Sequence, residues 1–159
     1  MAAPILYRLI YDKNWGYYDL RILSAVIDYA ETIHESETLI DKSLNILDNY
    51  SEDESYEIVK SSFHMNEVSR LMREDISDGS ILSLKELIKL FEYHSNAALN
   101  LYDKQNLQVL KSVVLIRKGF FYKDYKLIES AFKSLEESGE KDMYETLLHE
   151  AKIFGYRPN

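Results

Sequence analysis

The stretch Gln108-VLKSVVLIRKGFFYKDYKLIESAFKS-Leu135 is the most strongly apolar part of the chain. Two helical patterns meet in it. Leu107, Leu110, Val113 and Val114 recur at helical spacing on one side. Leu127, Ile128, Ala131, Phe132 and Leu135 do so on the other. Between them, Gly119 to Asp124 reads as a turn. A helical hairpin with so apolar a face needs the rest of the chain to pack on it, which predicts an all-α fold.

Working outward, the chain reads as about eight helices in one domain spanning residues 1–159. Pro4 opens a short first helix with Ile5, Leu6, Leu9 and Ile10 on one stripe. Asn14-Trp15-Gly16 ends it. A second helix is predicted from Tyr18 to Glu35, with Leu20, Leu23, Val26, Ile27, Ala30 and Ile33 inward. Ser36 is the expected cap of a third, carrying Ile40, Leu44 and Leu47 and ending near Asn49. Ser51 and Glu54 make a capping-box pattern for a fourth. Its stripe of Tyr56, Val59, Phe63, Val68, Leu71 and Met72 slips after Phe63, which predicts a kink near His64. Asp78-Gly79-Ser80 is a turn. Ser83 and Glu86 form a second capping box, followed by Leu84, Leu87, Ile88, Phe91, Ala98 and Leu101. After a break at Asp103 to Asn106 come the two hairpin helices. Gly139 stops the second, and a last helix runs from Lys141 to Phe154, closed by Gly155 and Pro158. No stretch shows the strict alternation of a strand.

The 159 residues are enough for a self-sufficient core, burying roughly 70% of the unfolded surface. There is no cysteine, which excludes disulfides, zinc thiolates and a cysteine nucleophile. A reducing cytoplasm is the simplest compartment for such a chain. The apolar run at the start is too short for a signal peptide or a membrane span. Net charge is −8 but uneven. Residues 1–80 hold 7 Lys/Arg against 16 Asp/Glu; residues 81–159 hold 12 against 11. Asp28 to Glu57 contains ten acids and one base, Lys42. This balance argues against a basic-patch nucleic-acid binder and favours a basic protein partner. Asp28, Glu31, Glu35, Glu37, Asp41 and Asp48 are the candidate contact residues. The acids at 52–54 lie where they favour a helix N-terminus.

A second candidate surface lies in the hairpin turn, where Arg117, Lys118, Lys123 and Lys126 interleave with Phe120, Phe121, Tyr122 and Tyr125. Such a mixture binds a single strand, clamps an acidic peptide or pairs with the chain's own acidic half, or it fills the gap between helices while the lysine stems cover the rings.

The hairpin also resembles a tetratricopeptide unit. Gly119, Tyr122, Ala131 and Leu135 stand at spacings of 3, 9 and 4, like the small, aromatic, small and large positions of that repeat. The resemblance implies close helix packing at the small residues and a peptide-binding groove near Gly119. It departs from the repeat at Leu115 and Lys118, and a step of about 34 residues lands on Lys85 and Ile153 instead of glycine.

Catalytic and metal signatures are weak. Glu31 and His34 have a Glu-x-x-His spacing, but no second such pair accompanies them. His149-Glu150 lacks the second histidine of a zinc-protease helix. No phosphate-binding loop or nucleophile elbow occurs. The expectation is therefore a non-enzymatic protein without metal or cofactor. Two functions fit it: a small acidic inhibitor or immunity-type protein that neutralises a basic partner such as a nuclease toxin, and a helical adaptor holding a peptide.

Overall fold

The computed structural model describes residues 8–9, 15–50, 53–74 and 82–156. Among them are seven α-helices and no strand, where the sequence suggested about eight helices. The difference is the first predicted helix, which apart from Arg8 and Leu9 lies outside the described residues, as do Ser51, the turn at 78–80 and Pro158. The chain divides into two compact units, residues 1–97 and 98–159.

In the first unit, α1 is Tyr17–Val26. The backbone N–H of Gly16 donates to Asp19 Oδ2 at 2.9 Å, fixing the helix start. The predicted helix to Glu35 does not persist. It tightens into a 3-10 turn at Ile27–Tyr29, and the chain leaves helical geometry at Ala30. It then restarts as α2, Ile33–Leu47. Thr32 caps α2, its side chain accepting from Glu35 N–H at 3.1 Å, so the cap is Thr32 and not Ser36. A capping threonine satisfies an otherwise orphaned amide and sets where a helix begins. A second 3-10 turn, Asp48–Tyr50, leads to α3, Glu54–Leu71, capped by Asp53 through Ser55 N–H at 2.8 Å. This helix runs without a break past His64. The apparent slip in its stripe is filled by buried polar residues, His64 and Glu67.

The core of this unit gathers Leu20, Leu23 and Ile27 from the first segment, Ile40, Leu44 and Leu47 from α2, and Val59 and Phe63 from α3. Each such side chain contributes about 1.5–3 kcal/mol on full burial. Trp15 joins them. Its Nε1–H donates to the Leu9 carbonyl at 2.8 Å, and the Lys42 ammonium sits 3.7 Å from its ring centre.

Helix α4, Leu84–Lys104, begins at the predicted capping box. Ser83 N–H donates to Glu86 Oε2 at 2.9 Å, and Glu86 N–H donates to Ser83 Oγ at 3.3 Å. Leu87, Phe91, Ala98 and Leu101 are buried as expected; Leu84 and Ile88 are exposed.

The second unit contains the hairpin: α5, Gln108–Tyr122, and α6, Tyr125–Glu137. Asn106 enters it and Lys123 connects the two helices, both with φ of 56°. Gly119 is not in the turn but inside α5. A Cβ there would stand 2.5 Å from Ile128 Cγ1 and 3.1 Å from the Asp124 carbonyl, so only glycine allows the helices this approach. Val114 and Ile116 of α5 and Ile128, Ala131 and Leu135 of α6 are buried. Gly139, at φ 79°, ends α6, and α7, Lys141–Ile153, adds Leu147 and Ala151 to the same core.

Candidate functional site

The most unusual chemistry in the first unit is a line of polar side chains through its interior. Glu67 on α3 is 0% exposed, as is His94 on α4, and His64 on α3 is 3% exposed. His94 Nε2 lies 2.8 Å from Glu37 Oε1 of α2. A carboxylate only accepts, so His94 donates here. His94 Nδ1 lies 2.9 Å from His64 Nδ1, a contact in which one ring must donate and the other accept. Ser36 Oγ–H donates to Glu67 Oε1 at 3.0 Å, while Glu67 Oε2 and the neighbouring Arg70 Nη1 are buried without a hydrogen-bond partner.

Burial decides the ionisation of two members. Desolvation, with smaller contributions from His94 and Lys60, lowers His64 to about 3, which keeps the ring neutral at ordinary pH. Desolvation and then the Glu37 charge raise Glu67 to about 7, against the opposing pull of Arg70, His94 and the Ser36 hydrogen bond. Glu67 is therefore a carboxyl that changes charge near neutral pH.

Glu37 belongs to two environments. Its Oε1 holds His94, and the residue also lines an open cleft of about 700 Å³. The cleft is lined by Glu31, Glu37, Glu74 and Glu86 as acids and Ile33, Leu82 and Leu90 as apolar wall, alongside Thr32, His34 and Arg70; α2, α3 and α4 carry six of these, and Glu31, Thr32, Glu74 and Leu82 lie in the segments flanking those helices. Four acidic residues thus line the cleft beside one arginine. Such a surface attracts an ammonium or guanidinium group and gives its methylene stem somewhere apolar to lie.

The six acids singled out from sequence do not form one face. Asp28 belongs to the 3-10 turn and pairs with Arg73. Glu35 folds back on its own helix start, Oε2 accepting from Glu31 N–H at 2.7 Å. Glu37 holds His94, and Asp48 pairs with Lys60. Asp41 is exposed on α2. Of the six, the cleft brings together Glu31 and Glu37.

The basic turn is also distributed. Arg117 is half-buried and bonded to Glu150 of α7 at 3.3 and 3.4 Å. Phe121 is partly buried and meets Tyr122 edge-on, with ring centres 5.0 Å apart. Lys118 is partly buried within α5, whereas Lys123 and Lys126 are exposed at and after the turn. Phe120 is buried and stacks on Phe154. Structure therefore claims part of this cluster for packing.

Sequence reasoning missed Arg70, Glu74, Glu86 and the buried Glu67 and histidines. His64 and Glu67 had left a signal in the slipped stripe of α3: counted as core positions, they make it continuous. The partnership of Glu37 with His94 spans 57 residues and leaves no local pattern. No family model, curated protein or solved structure matches this chain.

Proposed function

We propose that this chain is a non-enzymatic acidic protein that neutralises a basic protein partner, with the cleft between α2, α3 and α4 as the contact that recognises it. The observation that carries this reading is the cleft lining: Glu31, Glu37, Glu74 and Glu86 against Arg70, beside an apolar wall. An inhibitor of a phosphate-binding protein needs carboxylates at fixed positions, because they stand in for phosphate and steer a basic partner by complementary fields. Glu37 stands on α2 and Glu86 on α4, while Glu31 and Glu74 lie just outside α2 and α3. The two buried histidines support a non-catalytic reading, since neither ring reaches solvent to touch a substrate.

The experiment is binding of a short arginine peptide, and then of proteins that co-purify with the chain, to the wild type and to a Glu31→Lys, Glu74→Lys double variant. The expected result is association that weakens steeply with salt and is slowed roughly tenfold or more at low salt by the charge reversal. Equal association rates would remove the basis of this reading.

The alternative is a tetratricopeptide-like adaptor. The close approach of Gly119 to Ile128 favours it, because tight hairpins of that kind build peptide grooves. Binding through such a groove would be largely indifferent to salt and to Glu31 and Glu74.

A further inference from the structure

Glu37 joins the open cleft to the buried cluster, and this arrangement has a consequence for binding. Glu37 lines the cleft, and its Oε1 is the hydrogen-bond partner of His94. Glu67 feels the Glu37 charge, and it is bonded to Ser36, the neighbour of Glu37 in α2. We propose that the cleft receives a cationic side chain of the partner, and that its arrival beside Glu37 expels a proton from the buried Glu67 carboxyl. The proposal rests on the cleft-binding reading above and adds its ligand class and its regulation.

The physical argument is one of linkage. The groups around Glu67 are Glu37 and Ser36 from α2, Arg70 from its own helix and His94 from α4. Of these, Glu37 is the charge that opposes ionisation of Glu67; Arg70 and His94 favour it. A guanidinium or ammonium placed against Glu37 offsets that opposing charge. The ionised form of Glu67 then costs less, and the proton passes to solvent. By reciprocity, deprotonating Glu67 strengthens cation binding by the same factor. Glu67 is raised to about 7, so the exchange falls in the neutral range. No atoms are exchanged besides this proton, which moves from the Glu67 carboxyl to water or buffer.

The test is calorimetric titration of the whole chain with an acetylated, amidated tetra-arginine peptide near pH 7, in two buffers of different ionisation enthalpy. The wild type is expected to release up to one proton per peptide, and its affinity to rise several-fold between about pH 6 and 7. Glu67→Gln, which retains a side-chain acceptor for Ser36, is expected to bind without proton release and without that pH dependence. Circular dichroism confirms that the variant keeps its helix content; if it does not, the wild-type proton count decides alone. Peptide binding by the wild type with no proton release overturns the inference and leaves the proposed function standing. Absence of binding, or binding unchanged by Glu31→Lys with Glu74→Lys, overturns the cleft reading and the inference together.

Discussion

Glu37 and His94, 57 residues apart in the chain, are joined by a 2.8 Å hydrogen bond that ties the cleft wall on α2 to the interior of α4. Together with His64 and Glu67 this bond makes part of the first unit's core polar. Buried polar groups are tolerated when hydrogen-bonded and become costly when a partner is removed. The cluster also holds two groups whose ionisation is displaced in opposite directions.

Those displacements predict an unusual pH profile. Glu67 is raised from 4.5 to about 7, so between these values the folded state keeps a proton that the unfolded chain gives up. Its contribution to stability falls as pH rises through that window and is lowest above about 7. His64 is lowered from 6.5 to about 3, so below 6.5 the unfolded chain takes up a proton that the folded state refuses. Its contribution falls as pH falls. The two slopes oppose each other between 4.5 and 6.5. Relative to wild type, Glu67→Gln should lose stability on acidification through this range, and His64→Asn should lose stability as pH rises. Each unmasked slope should approach at most about 1.4 kcal/mol per pH unit. Urea midpoints measured from pH 4.5 to 7 check this; parallel profiles for all three proteins would show that the two groups titrate normally.

Gly119→Ala should destabilise the chain by roughly 1–3 kcal/mol, the usual cost of forcing a group into a filled space. The new methyl would meet Ile128 Cγ1 at 2.5 Å and the Asp124 carbonyl at 3.1 Å. In an Ile128→Ala background, which lacks Cγ1, Gly119→Ala should cost less than in the wild type but still something, because the second contact is backbone. Thermal unfolding of the single and double variants measures both. A neutral Gly119→Ala would mean that the two helices do not approach as closely as described.

Lys123→Gly should stabilise the chain by roughly 0.5–1 kcal/mol. Lys123 adopts φ 56° and ψ 33° at the end of α5, a conformation that costs a residue with a Cβ and suits glycine. The same change removes one of the two exposed lysines of the basic turn. If the turn binds the partner, stability and affinity will move in opposite directions; if only the fold uses it, a higher melting temperature will come with unchanged binding.

The sequence disclosed those boundaries whose signals are local. Ser83 and Glu86 form the hydrogen bonds their spacing predicts, because both partners lie within one turn of helix. Gly139 and Gly155 end their helices with positive φ. The break at residues 27–32 was hidden, since Leu20, Leu23, Ile27 and Ala30 keep helical spacing across it and neither Gly nor Pro marks it. The clue was Thr32 followed three residues later by Glu35, a capping pattern whose hydroxyl does start the next helix. Charge counting found an acidic region but could not tell which acids were committed elsewhere. Asp28 and Asp48 are paired with bases 45 and 12 residues away, and that pairing depends on how the helices pack.

Trp15 is the single tryptophan of the chain, and its indole is buried in the first unit, bonded to the Leu9 carbonyl and covered by the Lys42 ammonium. The second unit holds phenylalanine and tyrosine but no tryptophan. Tryptophan fluorescence excited at the red edge of the band is therefore an optical label already installed on one half of the molecule. It reports melting of residues 1–97 alone, while circular dichroism reports both halves. Superimposable curves from the two signals would identify a single cooperative transition, and displaced curves would show residues 1–97 and 98–159 melting as separate cooperative blocks.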